Sequence, residues 1–172
     1  MEIRTERSSD YDAVFQLNYL AFGNREVESR LIERIRLSDA FIPVLSLIAE
    51  ENDRIVGHIL FSRAELVDEE KSDEVIALGP IAVLPGHQKS GVGSKLIQEG
   101  LKRCAELGYN LVFLIGHPTY YPKFGFKLAR PYGINLKQFE VSDDVFMVCE
   151  LKEGTLSQKI KGEFKFSKSF LV

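Results

Sequence analysis

At 172 residues, with 45% hydrophobic and 27% charged side chains, the sequence has the composition of an ordinary folded protein and enough length to bury one core. A formal net charge of −3 and a pI near 5.7 lack the strong positive field that draws in nucleic acid or an anionic membrane, so neither is an expected partner. The N-terminus is charged from its second residue and no run approaches the roughly 18 apolar residues of a membrane span. A single cytoplasmic domain over residues 1–172 is the expectation.

A short strand opens the chain at Glu2 to Arg4. Ser9 and Asp12 stand in capping-box spacing before Val14, Phe15, Leu17 and Ala21, which predicts a first helix ending near Gly23. Asn24 is the expected cap of a second helix, with Val27, Leu31, Ile32 and Ile35 at helical intervals. VLSLIAE, ENDR and IVGHILFSRAEL read as strand, turn and strand, and DEEKSDE as a solvated acidic loop. VIALGPIAV, Val75 to Val83, predicts a central strand that Gly79 and Pro80 interrupt with a bulge.

Val92 to Leu107 is the clearest helix, with Val92, Leu96, Ile97, Leu101, Cys104 and Ala105 on one face and Gly108 as its C-cap. The uninterrupted apolar run Leu111 to Ile115 follows as a buried strand. Strand, helix and strand in this order imply a parallel crossover, with a ligand beyond the carboxyl ends of the two strands. A short helix around Tyr120 to Phe124, a strand over Val145 to Leu151, and the tail GEFKFSKSFLV as strand or short helix complete the pass. Cys104 and Cys149 lack metal-binding spacing and read as reduced core thiols, so no metal is expected.

The segment LGPIAVLPGHQKSGVGSKL joins the interrupted strand to the clearest helix through a glycine-rich loop, and such a helix start is a ready anion site. Its spacing decides which anion. The triphosphatase pattern fails because Val92 stands where the phosphate-binding lysine is required, and the dinucleotide pattern fails because Leu96 replaces its third glycine.

What remains, Gln88-Lys89-Ser90-Gly91-Val92-Gly93, resembles the [RQ]xxGx[GA] loop of GNAT-superfamily N-acetyltransferases. YYPKFGF, Tyr120 to Phe126, is similar to the same family's "aromatic-Tyr-x-x-x-Gly-Phe" element. Both, in this order across a predicted helix and strand, match from about residue 1 to 130, and the chain looks most like the small bacterial YhbS-like group.

The resemblance implies an α/β (α+β) acyl-CoA N-acyltransferase fold: a mixed central sheet splayed between two parallel strands and flanked by helices. The cofactor core would span about 45–130, with a C-terminal strand and tail at 140–172. Acetyl-CoA would be the cosubstrate, with direct acetyl transfer to a primary amine on a small molecule or a protein. Ile81, Ala82 and Val83 would line the pantetheine arm, with Val83 as candidate oxyanion donor. Gln88, Lys89, Ser90, Gly91, Val92, Gly93 and Ser94 would hold the pyrophosphate.

Tyr121 would be the general acid for the leaving thiolate. The strand LGPIAV lacks the carboxylate that some relatives carry, which leaves Glu26 and His117 as candidates for the amine's proton, each with a structural alternative. His58 reads as structural and His87 as solvent-facing. The rival to an enzyme is an acyl-CoA-binding regulatory or interaction module without turnover. An exposed C-terminal strand would support a homodimer.

Overall fold

The computed structural model describes residues 1–158 and 161–171. Its elements in chain order are β1 (Glu2–Thr5), α1 (Tyr11–Ala21), α2 (Val27–Arg36), β2 (Phe41–Glu51), β3 (Arg54–Asp68), β4 (Lys71–Val83) and α3 (Val92–Glu106). Then come β5 (Leu111–Ile115), β6 (Lys127–Leu128), β7 (Ile134–Leu136), β8 (Phe146–Glu150) and β9 (Gly162–Lys165). The hydrogen-bonded order is β1-β2-β3-β4-β5-β8-β6, with β9 pairing β3 and β7. The sheet is mixed: β4 and β5 are parallel, while β5 and β8 are antiparallel.

Two compact units divide the chain, Met1–Ser62 with Gly79–Arg103, and Arg63–Leu78 with Cys104–Val172. In the first, β1 and β3 flank β2, and Asn52 and Asp53 form a tight turn with both φ angles positive, at 51 and 60°. Val14, Leu17, Ile32, Ile35, Leu47 and Phe61 are fully or almost fully buried in it.

The start of α1 differs from the expected Ser9–Asp12 cap. Asp10 stands at the N-cap position but makes no side-chain bond to α1: Arg4 on β1 clamps its carboxylate with two bonds of 2.8 and 3.0 Å, and the same carboxylate accepts the Arg7 N–H at 2.7 Å, closing the short turn that leads into the helix. Asn24 does not cap α2 either. It adopts φ 63° in the turn after α1, and α2 begins three residues later.

The second unit is built on stacked aromatics. Phe113 lies 4.4 Å from Phe164 and 6.0 Å from Phe146 between ring centroids, and all three are fully buried. The acidic stretch is not a loop: only Glu69 and Glu70 turn, and Lys71 to Glu74 already belong to β4. Glu74 pays for its place on a strand by accepting the Tyr109 hydroxyl beside Arg63, 3.6 Å away.

The C-terminal strands are not exposed edges of the kind expected to recruit a second copy. β8 is paired by β5 and β6, and β9 by β3 and β7 with Phe164 fully buried. β6 and β7 escaped the sequence reading because two- and three-residue strands leave no period to detect.

Helix α3 keeps its predicted apolar face except at Ala105, which is exposed. Its end is closed as expected: the Gly108 N–H donates to Ala105 and the Tyr109 N–H to Cys104. No helix among the described residues is long and apolar enough to cross a membrane.

Candidate active site

The glycine loop and the strand before it lie in the first unit. Along the end of β4 burial alternates: Pro80 and Ala82 are buried while Gly79, Ile81 and Val83 are half-buried, so one row of strand positions stays accessible. Pro85 and Gly86 then reverse the chain, with the His87 N–H donating to the Leu84 carbonyl at 2.9 Å and Gly86 at φ 92°. That is a type II turn, and it needs glycine at its third position. The Leu84 N–H donates to Val56 on β3 at 2.8 Å and holds the turn's root.

Gly91, at φ 89°, begins α3, since its carbonyl accepts the Lys95 N–H at 3.1 Å. The N–H groups of Val92, Gly93 and Ser94 therefore have no carbonyl within the helix. Lys89 also stands at positive φ, 65°, without being glycine. Two side chains are occupied in the loop itself: Gln88 Nε2, expected to reach the anion, donates to the Val83 carbonyl at 3.3 Å, and Ser90 Oγ donates to that of His87. His87 is half-buried rather than solvent-facing, and its Nδ1 is enclosed without a partner among the described residues.

The helix start is seated by glycines that carried no signal in the sequence. A Cβ on Gly57 of β3 would lie 2.7 Å from Val92 Cγ1 and 2.9 Å from Leu96 Cδ1. A Cβ on Gly100 would lie 1.9 Å from the Phe61 ring. Both allow α3 to lie against β3 more closely than any side chain permits. Beneath α1 and α2 the same unit buries Glu6, bonded to Arg36 at 2.6 Å and to Ser46 at 2.8 Å. Ser46 in turn accepts from His58 Nε2 at 3.0 Å, so His58 is structural as expected.

Glu26 stands just before α2 and is exposed, with Oε1 accepting from Arg30 at 2.9 Å.

The second unit holds Tyr121 and His117. Tyr121 starts a single helical turn, and its ring occupies the space that Gly116 leaves, where a Cβ would lie 2.4 Å from Cε2. Tyr120 and Phe126 meet the ring edge-to-face at 5.1 and 5.9 Å between centroids. Burial, with a smaller contribution from Tyr120, pushes the Tyr121 phenol up to about 12. The hydroxyl thus stays protonated throughout the physiological range.

His117 is exposed, and its Nδ1 lies 2.9 Å from Thr119 Oγ1 and 3.3 Å from the Thr119 N–H. The Thr119 N–H donates to Nδ1, so Nδ1 is the accepting nitrogen of the neutral ring, accepts from the Thr119 hydroxyl as well, and leaves the proton on Nε2. Both cysteines are buried free thiols, pushed up to about 12 for Cys104 and about 11 for Cys149 chiefly by burial, which makes them inert.

Comparison with known proteins decides the family. A family model described as an acetyltransferase (GNAT) domain matches residues 2–129. The chain belongs to the GNAT family. An uncharacterized N-acetyltransferase of Escherichia coli K12, YjhQ, is 38% identical over 119 residues, which are 69% of this chain and 65% of that protein. A second, YhbS of the same strain, is 26% identical over 157 residues, 91% of each chain.

Among solved structures, YhbS from Escherichia coli in complex with CoA superposes with a TM-score of 0.89 at 24% identity, covering 98% of this chain and 91% of that one. A GNAT family acetyltransferase from Brucella melitensis in complex with acetyl-CoA gives 0.78 at 28% identity, covering 98% and 97%. The fold is the expected α/β acyl-CoA N-acyltransferase fold, of YhbS-like type.

Proposed function

We propose that residues 1–172 act as one N-acetyltransferase domain, transferring acetyl from acetyl-CoA directly to a primary amine. The observation that carries this reading is the first unit's loop: two left-handed residues, Lys89 and Gly91, lead into a helix whose first N–H groups have no partner within it. Those groups suit a pyrophosphate, each hydrogen bond contributing about 1 kcal/mol net and the helix end about 0.3–1 kcal/mol more. The acetyl-CoA complex of the Brucella relative supports the choice of ligand.

In this reading Ile81, Ala82 and Val83 pair with the pantetheine arm, and the Val83 N–H stabilises the carbonyl oxygen as it gains charge. Gln88, Lys89, Ser90, Gly91, Val92, Gly93 and Ser94 form the pyrophosphate loop, mainly through backbone N–H groups because the Gln88 and Ser90 side chains already brace it.

Tyr121 serves the leaving sulfur. A phenol at about 12 meets a thiol whose ordinary pKa is about 8.5, so outright transfer runs uphill by about 3.5 units, roughly 5 kcal/mol. Its contribution is therefore a hydrogen bond that strengthens as the thiolate develops, with proton delivery completed as the amine nitrogen loses its own. His117, exposed on its turn, is the candidate for the acceptor's first proton, with Nδ1, the nitrogen that accepts from Thr119, as its basic atom. Glu26, already bonded to Arg30, contributes negative potential on the acceptor side.

The test is thiol release from acetyl-CoA with a panel of primary amines, and mass spectrometry of the products. Tyr121→Phe is expected to lower kcat about ten- to hundredfold, the loss of one hydrogen bond to charge, with acetyl-CoA affinity unchanged. Equal rates for variant and parent would remove Tyr121 from the chemistry. Acetyl-CoA binding without turnover on any amine would instead favour the regulatory module, the reading supported by the absence of a carboxylate in LGPIAV.

A further inference from the structure

Packing holds the Tyr121 ring, and its least forgiving neighbour is Gly116. Tyr120 and Phe126 meet the ring edge-to-face, and Phe126 is almost fully buried. Against Gly116 the fit is closer: a Cβ there would lie 2.4 Å from Cε2 and 3.0 Å from Cδ2 of the ring, and 3.1 Å from Leu114 Cδ1. Carbon atoms in ordinary contact stay about 3.5 Å or more apart, so the ring lies on bare backbone where any side chain would stand.

The chain at 116 does not itself require glycine. Gly125 and Gly133, which close the next two turns, stand at φ 96 and 85°, whereas Gly116 does not have positive φ. An alanine there meets no strain in its own backbone; what it meets is the Tyr121 ring. Neither side can retreat. β5 and β8 are antiparallel up to the pair Ile115↔Phe146, and one step beyond it the Gly116 N–H donates to the Val145 carbonyl at 2.9 Å, which keeps Gly116 on the ladder. Tyr121 is bracketed by two closed turns, the Tyr120 N–H on the His117 carbonyl and the Gly125 N–H on that of Pro122. A side chain at 116 would therefore push the ring edge by about 1 Å.

We propose that Gly116 is the positioning residue for Tyr121: its bare backbone lets the phenol lie against the end of β5 and so sets where the hydroxyl stands during acetyl transfer. This rests on the acetyltransferase reading above, with Tyr121 serving the leaving sulfur. Cε2, the atom that a Cβ at 116 would meet first, is bonded to the carbon that bears the hydroxyl, so a push at that edge passes directly to the oxygen. A misplacement of about 1 Å in a reacting group can cost about a hundredfold in rate, while the binding of acetyl-CoA by the loop of the first unit has no part in this contact.

The experiment is a pair of double-variant cycles on the full chain, with acetyl-CoA as donor and n-butylamine, benzylamine and L-lysine as acceptors. Gly116→Ala should lower kcat about tenfold or more, with the KM for acetyl-CoA changed less than about twofold. In a Tyr121→Phe background the same substitution should lower kcat less than about twofold, because the hydroxyl it misplaces is gone. A merely structural role would give the same loss in both backgrounds, and that result overturns the proposal. In melting curves Gly116→Ala should destabilise the parent and Tyr121→Phe alike, since both keep the ring, and leave Tyr121→Ala unchanged. If Gly116→Ala alone does not fold, Gly116→Ala/Tyr121→Ala should; failure of that double variant beside a folded Tyr121→Ala overturns the proposal.

A large loss in Tyr121→Phe with none in Gly116→Ala overturns the positioning role alone and leaves the acetyltransferase reading intact. An unchanged kcat in Tyr121→Phe removes Tyr121 from the chemistry and this proposal with it. No turnover on any of the three amines, with acetyl-CoA still bound in calorimetry, overturns both the acetyltransferase reading and the role of Gly116.

Discussion

Gly91→Asp separates what the glycine does for the fold from what it does for the ligand. At φ 89° any side chain costs about 1 kcal/mol or somewhat more in backbone strain, although a Cβ there meets nothing within 4 Å. Aspartate is among the residues that tolerate this conformation best, and at a helix start its carboxylate recovers about 0.3–1 kcal/mol from the unpaired N–H groups. The free protein should therefore melt within a few degrees of the parent, since 1 kcal/mol moves Tm by about 2–4 °C at this size.

The ligand meets the opposite sign. One negative charge about 6 Å from another at an effective dielectric near 20 costs about 3 kcal/mol, roughly a hundredfold in Kd, and a pyrophosphate carries more than one. Gly91→Ala, with the strain and no charge, should lose only a few-fold in affinity. Calorimetry with acetyl-CoA on both variants, beside their melting curves, is the assay. A folded Gly91→Asp protein that binds acetyl-CoA as tightly as the parent would refute the placement of the pyrophosphate at this helix start.

Gly100→Ala should lower Tm by about 2–8 °C: its Cβ falls 1.9 Å from the ring of a fully buried Phe61, and overpacking of about 2–3 kcal/mol exceeds the gain of about 1 kcal/mol in helix propensity. An unchanged melting point would mean that α3 is not pressed against β3. His58 should make stability fall in acid. Burial holds its pKa down at about 4, with Arg36 acting the same way and Glu6 opposing, whereas unfolded histidine titrates near 6.5. Its contribution is thus complete above pH 6.5 and is lost as pH falls from there through about 4. Between pH 7 and 5 the parent should lose about 2 kcal/mol more than His58→Gln in urea unfolding, and parallel slopes would count against a buried neutral imidazole.

The elements legible in the sequence were those whose cause is local. Proline at 85 and glycine at 86 dictate their turn, and Val92 to Leu101 repeat at the helical period, so strand end, loop and helix could be read from their residues. The role of Asp10 in the turn that leads into α1 was not legible, because it depends on Arg4 arriving from another element. Gly57 and Gly100 were missed for the same reason: a glycine chosen for close approach looks like any other until the partner, here Val92 or Phe61, is brought to it. DEEKSDE misled because charge resembles solvated loop, while the pairing of Glu74 with Tyr109 and Arg63 is non-local.

The glutamine of the loop changes how the anion would be held. The family pattern admits arginine or glutamine at position 88, and these are not equivalent: a guanidinium offers five donors and a full charge, an amide two donors and none. In this chain the Gln88 amide already reaches back to the Val83 carbonyl, so it ties the last residue of β4 to the loop. In the proposed site the side chain would therefore add little to the field at the pyrophosphate, and the task would pass to the backbone N–H groups of Gly91 to Ser94 at the start of α3. Backbone donors are fixed by φ and ψ and by the seating of α3 on Gly57, not by a flexible side chain. If the loop holds the pyrophosphate as proposed, affinity would depend on the shape of the strand-to-helix connection, which Gly57, Gly86 and Gly91 set through close approach and positive φ.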